Sequence, residues 1–148
     1  SAEACMFKKI APGFVLAAAL AAAAAQAAPL RHDHPLIGTW QITLADGSCS
    51  ETYRIRDDGS SLVTSNEEVA ESTFDIADQP DALGFYKQVD KVVKDNGKPD
   101  CSGEVTEVGH VATSYILFHP SGNMFLMCFE RDTHSCIGPF IRVRGNFT

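Results

Sequence analysis

The sequence predicts an all-β protein: a single antiparallel up-and-down β-barrel of about eight strands, following an N-terminal signal peptide. Three observations lead there. After residue 30 no long stretch carries apolar residues at helical spacing. Short runs of alternating, β-branched or aromatic residues take its place. Turn chemistry breaks those runs about every ten residues, the spacing expected of small barrels and sandwiches.

The first strand is read over 36–44, where Trp40, Ile42 and Leu44 alternate with Gln41 and Thr43. Ala45-Asp46-Gly47 turns the chain into a second strand over 49–56, in which Tyr53 and Ile55 share a face with Cys49 and Glu51. Asp57-Asp58-Gly59 is a strong hairpin signal. Strands over 62–65 and 69–76 follow, the latter with Phe74 and Ile76 on one face. Residues 78–83, with Pro80, form a loop before a fifth strand over 84–94, read as presenting Phe85, Val89 and Val93. A weak strand is expected over 103–108 and a clear one over 110–119; strands over 124–130 and 136–144 close the series. An immunoglobulin-like sandwich fits less well, because Trp40 precedes Cys49 and every later cysteine. A closed barrel is also the simplest way to leave no free sheet edge.

From Met6 the chain reads MFKKIAPGFVLAAALAAAAAQAA, a basic start, an Ala/Leu-rich run and a small-x-small site at Ala25-Gln26-Ala27. That pattern marks a signal peptide over 6–27, and the run is short and Ala-rich for a membrane span. Residues 1–5 are read as a tag remnant or upstream extension, 28–35 as an N-terminal arm, 36–145 as the barrel domain and 146–148 as a tail. The protein is therefore expected in the periplasm or the medium, with no membrane span in the mature chain. Of 12 basic and 19 acidic residues, Lys8, Lys9 and Glu3 precede the cleavage site, so the mature domain is strongly acidic. Without a basic stripe to displace phosphate counterions, it is not expected to bind nucleic acid.

Cys49, Cys101, Cys128 and Cys136 follow the cleavage site. An even number in an exported domain suggests two disulfides, with three possible connectivities. Cys128 and Cys136 flank a segment that reads as a hairpin tip centred on Asp132, which pairs them across two strands and leaves Cys49 with Cys101. Chain entropy assigns roughly 2.5 kcal/mol to the short loop and about 4 kcal/mol to the long one.

Gly38-Thr39-Trp40 at the start of the first strand resembles the G-x-W signature of lipocalins and the wider calycin group. The resemblance implies that Gly38 and Trp40 close one end of the barrel, with Arg142 or Arg144 from the last strand packing across the indole. The second-strand hairpin, Glu51 to Gly59, also looks like that of short lipocalin-like proteins. The T-D-Y motif of lipocalins is missing, and no helix is expected after the last strand. The E-T-Y…D-G stretch, the N-G-x-P-D-C-S-G loop and the C-x-G-P ending are similar to those of short secreted proteobacterial proteins of unassigned function.

No catalytic constellation stands out: there is no G-x-S-x-G elbow, no H-E-x-x-H and no phosphate-cradling Gly loop. The protein is expected not to be an enzyme, and no cofactor or metal is implied. His32-Asp33-His34 supplies at most three ligands on a Pro-flanked arm. Glu67, Glu68, Glu71, Asp75, Asp78 and Asp81 read as a solvated strand face. Glu51 is left with two placements, inside the barrel against a partner such as Arg142, or exposed after a register break. The expected function is a small-molecule-binding barrel for an apolar or amphipathic ligand. Its interior would be drawn from Trp40, Ile42, Tyr53, Ile55, Phe74, Phe85, Val89, Tyr115, Leu117, Phe125 and Met127. The alternative is a periplasmic protein-interaction module, such as an inhibitor of an envelope protease or lysozyme, using the arm or the loop tips.

Overall fold

The computed structural model describes residues 27–144; residues 1–5, all but the last residue of the leader read over 6–27, and the tail 146–148 lie outside them. Eight strands form a closed antiparallel barrel in sequential order: β1 (Gly38–Thr43), β2 (Ser50–Ile55), β3 (Ser60–Ser65), β4 (Glu68–Ile76), β5 (Phe85–Asp95), β6 (Val111–Phe118), β7 (Met124–Cys128) and β8 (Cys136–Arg142). No helix forms among the described residues. The segment 103–108, read as a weak strand, is part of the loop between β5 and β6. Asp100 shapes this loop by accepting hydrogen bonds from the backbone N–H groups of Ser102 and Glu104 (2.8 and 3.0 Å). An Asx turn of this kind competes with strand pairing.

The ring closes where β8 meets β1, through the pairs Trp40–Arg142 and Gln41–Ile141. Trp40 is fully buried and donates its indole N–H to the Leu36 carbonyl at 2.8 Å. Its ring meets Phe125 edge-on at 4.7 Å, and Phe125 stacks on Phe140 at 4.6 Å. The Arg142 guanidinium lies 4.2 Å from the indole centroid. It also donates to the carbonyls of Ile37 (2.9 Å) and Pro35 (2.8 Å) and reaches that of Gly122. These are backbone acceptors that the end of a barrel would otherwise leave unpaired. Gly38 makes room for this: a Cβ there would stand 2.6 Å from Arg142 Nη1, and its φ of 135° suits glycine alone. Arg144, the other closure candidate, bonds the Asn123 side chain at the surface and does not cover the indole.

The arm folds onto the same end. Leu30 N–H donates to the Asp57 carbonyl at 2.7 Å, Leu36 is 1% exposed and His34 3%. His34 Nε2 lies 3.0 Å from the Ala77 carbonyl, while its Nδ1 accepts from the Leu36 N–H. This network assigns a neutral ring to His34, and burial holds its pKa below the usual value. The disulfides are Cys49–Cys101, which ties the β5–β6 loop to the start of β2, and Cys128–Cys136, which staples the β7–β8 hairpin.

Substituting Arg142 by Ala is expected to lower the unfolding free energy by about 2–4 kcal/mol, since charged hydrogen bonds and an indole contact go together. Arg144→Ala should cost under about 1 kcal/mol. Urea denaturation followed by the fluorescence of Trp40, the single tryptophan, checks both.

Candidate functional site

The barrel is filled at one end and hollow at the other. Trp40, Phe74, Ile116, Phe125 and Phe140 fill the closed end. Above them lies a cavity of about 260 Å³. Its floor is apolar, made by Leu36, Ile55, Ile116, Phe125 and Met127; its walls carry Tyr53, Ser61, Glu68, Ser72, Gln88, Asp90, Thr106 and Ser114. The opening follows from register. β7 pairs only with Tyr115–Phe118 of β6, so the first half of β6 has no neighbour on that side. β8 likewise leaves β1 after Gln41. Phe129, 61% exposed, stands at this gap and lines the cavity.

Strand alternation decides which side chains face inward. β4 presents Glu68, Ala70, Ser72, Phe74 and Ile76, all buried. β5 presents Gln88, Asp90 and Val92 to the cavity, with Tyr86 packed against the core below. A register shift opposite Glu71 and Ser72 then pairs Asp95 with Ala70, which restores Asp95 to the inner face.

The polar groups form a connected set. Tyr53 donates its hydroxyl to Glu51 Oε2 at 2.6 Å, and Ser65 donates to Glu51 Oε1 at 2.9 Å. Glu51 is therefore an inner residue, and its partners are Tyr53 and Ser65 with no contact to Arg142. Burial, then the charges of Glu51, Asp90 and Glu68, push the Tyr53 hydroxyl well above its usual range. Burial pushes Asp90 up to about 6, against hydrogen bonding from Ser72 and the charge of His110. Glu68, 5% exposed, is also raised, first by burial; Thr106 opposes the shift and Asp95 adds to it. Glu68 Oε2 and Asp95 Oδ2 are buried without a donor.

Of the residues expected inside, Ile55, Phe125, Met127 and Tyr53 line the cavity, while Trp40, Ile42 and Phe74 belong to or pack on the core beneath. Phe85, Val89, Tyr115 and Leu117 do neither: they alternate with the inward residues of β5 and β6, and of the four only Phe85 is buried, at 5% exposure. Phe85 pairs with Leu117, and Leu117 with Leu126, in an apolar row across three strands. Glu68, read as part of a solvated acidic face, is inside. Sequence reasoning missed Glu68, Ser72, Gln88, Asp90, Asp95 and Ser114. For Glu68 a signal existed, its period-two alignment with Phe74 and Ile76.

Among the described residues no three His, Cys, Asp or Glu side chains converge to suit a metal ion. No family model matches the chain, and no curated protein or solved structure matches it either.

Asp90 has a clear linkage sign. Its folded pKa lies above the unfolded value of 3.8, so the folded state holds a proton that the unfolded chain has shed. The group's destabilising effect is complete above about 6 and fades as pH falls toward 3.8. His34, lowered from 6.5, acts oppositely and costs stability as pH drops below that value. Asp90→Asn should therefore stabilise the protein at pH 7 by about 1–3 kcal/mol and steepen its loss of stability on acidification. Urea midpoints measured between pH 4 and 7 check this.

Proposed function

We propose that this chain is an exported, lipocalin-like carrier barrel that holds one small amphipathic molecule in its cavity. The observation that carries the reading is the cavity itself: about 260 Å³, apolar at the floor, polar at the wall and open beside Phe129. A barrel that served only as a scaffold would gain by filling this volume and would not bury Gln88, Ser72 and Ser114 around it. An engineered cavity of about 150 Å³ accommodates benzene, so a ligand with one ring and a short polar substituent is the matching size. Few precisely placed polar groups over an apolar bed is the usual make-up of a small-molecule site.

Two disulfides fit an oxidising compartment, which supports export. No helix among the described residues is long and apolar enough to cross a membrane. The inhibitor reading rests on the arm or the loop tips. Here Leu30 is hydrogen-bonded to Asp57, and His34 and Leu36 are buried against the barrel's own end, so it draws no support from a free arm.

Ser114→Phe is a direct test, because the side chain lines the cavity and sits at 8% exposure. Native mass spectrometry of protein purified from a periplasm is expected to show a small adduct that leaves the wild type on activation and is absent from Ser114→Phe. A wild type that stays free of adduct and also fails to take up one-ring alcohols or amines added at millimolar concentration would sink the reading.

A further inference from the structure

We infer that the cavity selects a small organic cation: a protonated amine on a one-ring apolar body, with the ammonium among Asp90, Glu68 and Tyr53. The inference rests on the carrier reading and narrows it to one ligand chemistry.

The lining residues include two carboxylates, Glu68 and Asp90, and no Lys, Arg or His. Glu51 and Asp95 lie close behind, Glu51 on Tyr53 and Asp95 beside Glu68. A buried carboxylate is stable when it is protonated, fully hydrogen-bonded or matched by a cation. Glu51 meets the second condition through Tyr53 and Ser65. Glu68 meets it only in part: the residue is 5% exposed and lines the cavity, its carboxyl is bonded to Thr106 and to the Asp95 carboxyl, and its Oε2 has no N–H or hydroxyl donor. Asp95 Oδ2 has none either. Asp90 relies on Ser72, and the positive charge of His110 reaches it only from the β5–β6 loop. What the cavity's lining lacks is a basic side chain to match the charge that Asp90 carries above its raised pKa, and a bound cation would supply it.

Geometry separates an organic cation from a metal ion. A metal would need three or more ligands converging on one point, which the described residues do not offer. The carboxylates are instead spread around one wall, reached from β4 and β5, with Tyr53 of β2 between their fields. An ammonium has three donors that point in different directions and suits such a spread. Its apolar body then lies on Ile55, Ile116, Phe125 and Met127. An anionic or strongly acceptor-rich ligand would meet like charge there and be rejected.

The test uses a matched pair, 2-phenylethylamine and the neutral 2-phenylethanol, titrated at pH 7.5 into the disulfide-bonded mature protein by calorimetry or amide NMR shifts. The expected result is at least a tenfold preference for the amine. Asp90→Asn and Glu68→Gln should each reduce amine affinity at least tenfold and leave the alcohol unchanged. Asp75→Asn removes the same charge from the exposed outer side of β4 and should change neither. Equal binding of amine and alcohol would overturn the cation inference and leave the carrier reading standing. So would an amine preference that survives both interior variants. Binding of neither compound would overturn the carrier reading and the cation inference together.

Discussion

The guanidinium of Arg142 on the indole of Trp40 is the contact from which the rest of the barrel follows. It brings β8 to β1 at the pairs Trp40–Arg142 and Gln41–Ile141, which close the ring. The same group satisfies carbonyls from the arm, at Pro35 and Ile37, and from the β6–β7 turn, at Gly122. The arm, the β6–β7 turn and β8 are thereby held together at one end. Gly38 is the steric condition for it, since any side chain there would occupy the space of Nη1. With that end packed by Trp40, Phe125 and Phe140, the short β7 and the early departure of β8 leave the opposite end with a gap in its wall.

The open end is electrostatically costly. Asp90 and Glu68 stand in a low-dielectric wall with few donors, and burial raises both carboxyls. A protein selected for stability alone would place apolar side chains there. Groups held at a cost in a cavity are what a binding site requires, because a ligand that supplies the missing partner recovers the penalty on binding. The two disulfides and the aromatic floor offset the cost elsewhere in the fold, one bridge anchoring the long loop that reaches over Glu68 through Thr106.

The fold was legible in the sequence, and half of the cavity was not, for one physical reason. Strand boundaries, turn residues, the closing Trp40 and the cysteine pairs all follow local chemistry that needs no knowledge of the interior. Hydrophobic alternation, in contrast, assumes that the inner face is the apolar one. On β4, Phe74 and Ile76 make that assumption correct. On β5 and β6 it fails, because the face toward the cavity carries Gln88, Asp90 and Ser114, while Phe85, Val89, Tyr115 and Leu117 alternate with them and do not line it. A hollow barrel with polar walls inverts the signal that a filled barrel would give. Chain distance hid the rest. Thr106 meets Glu68 from a β5–β6 loop that Cys49–Cys101 anchors, and Ser65 reaches both Glu51 and the Cys101 backbone.

The central claim is that Asp90 belongs to a buried, acidic hollow. Carboxyl-detected NMR of the mature protein, with side-chain ¹³C shifts followed from pH 3 to 8, tests it most directly. The account expects Asp90 to titrate near 6 in the free protein and to fall when 2-phenylethylamine is bound. An Asp90 that titrates at the ordinary aspartate value in the free protein would place it in water, and the hollow described here would not exist.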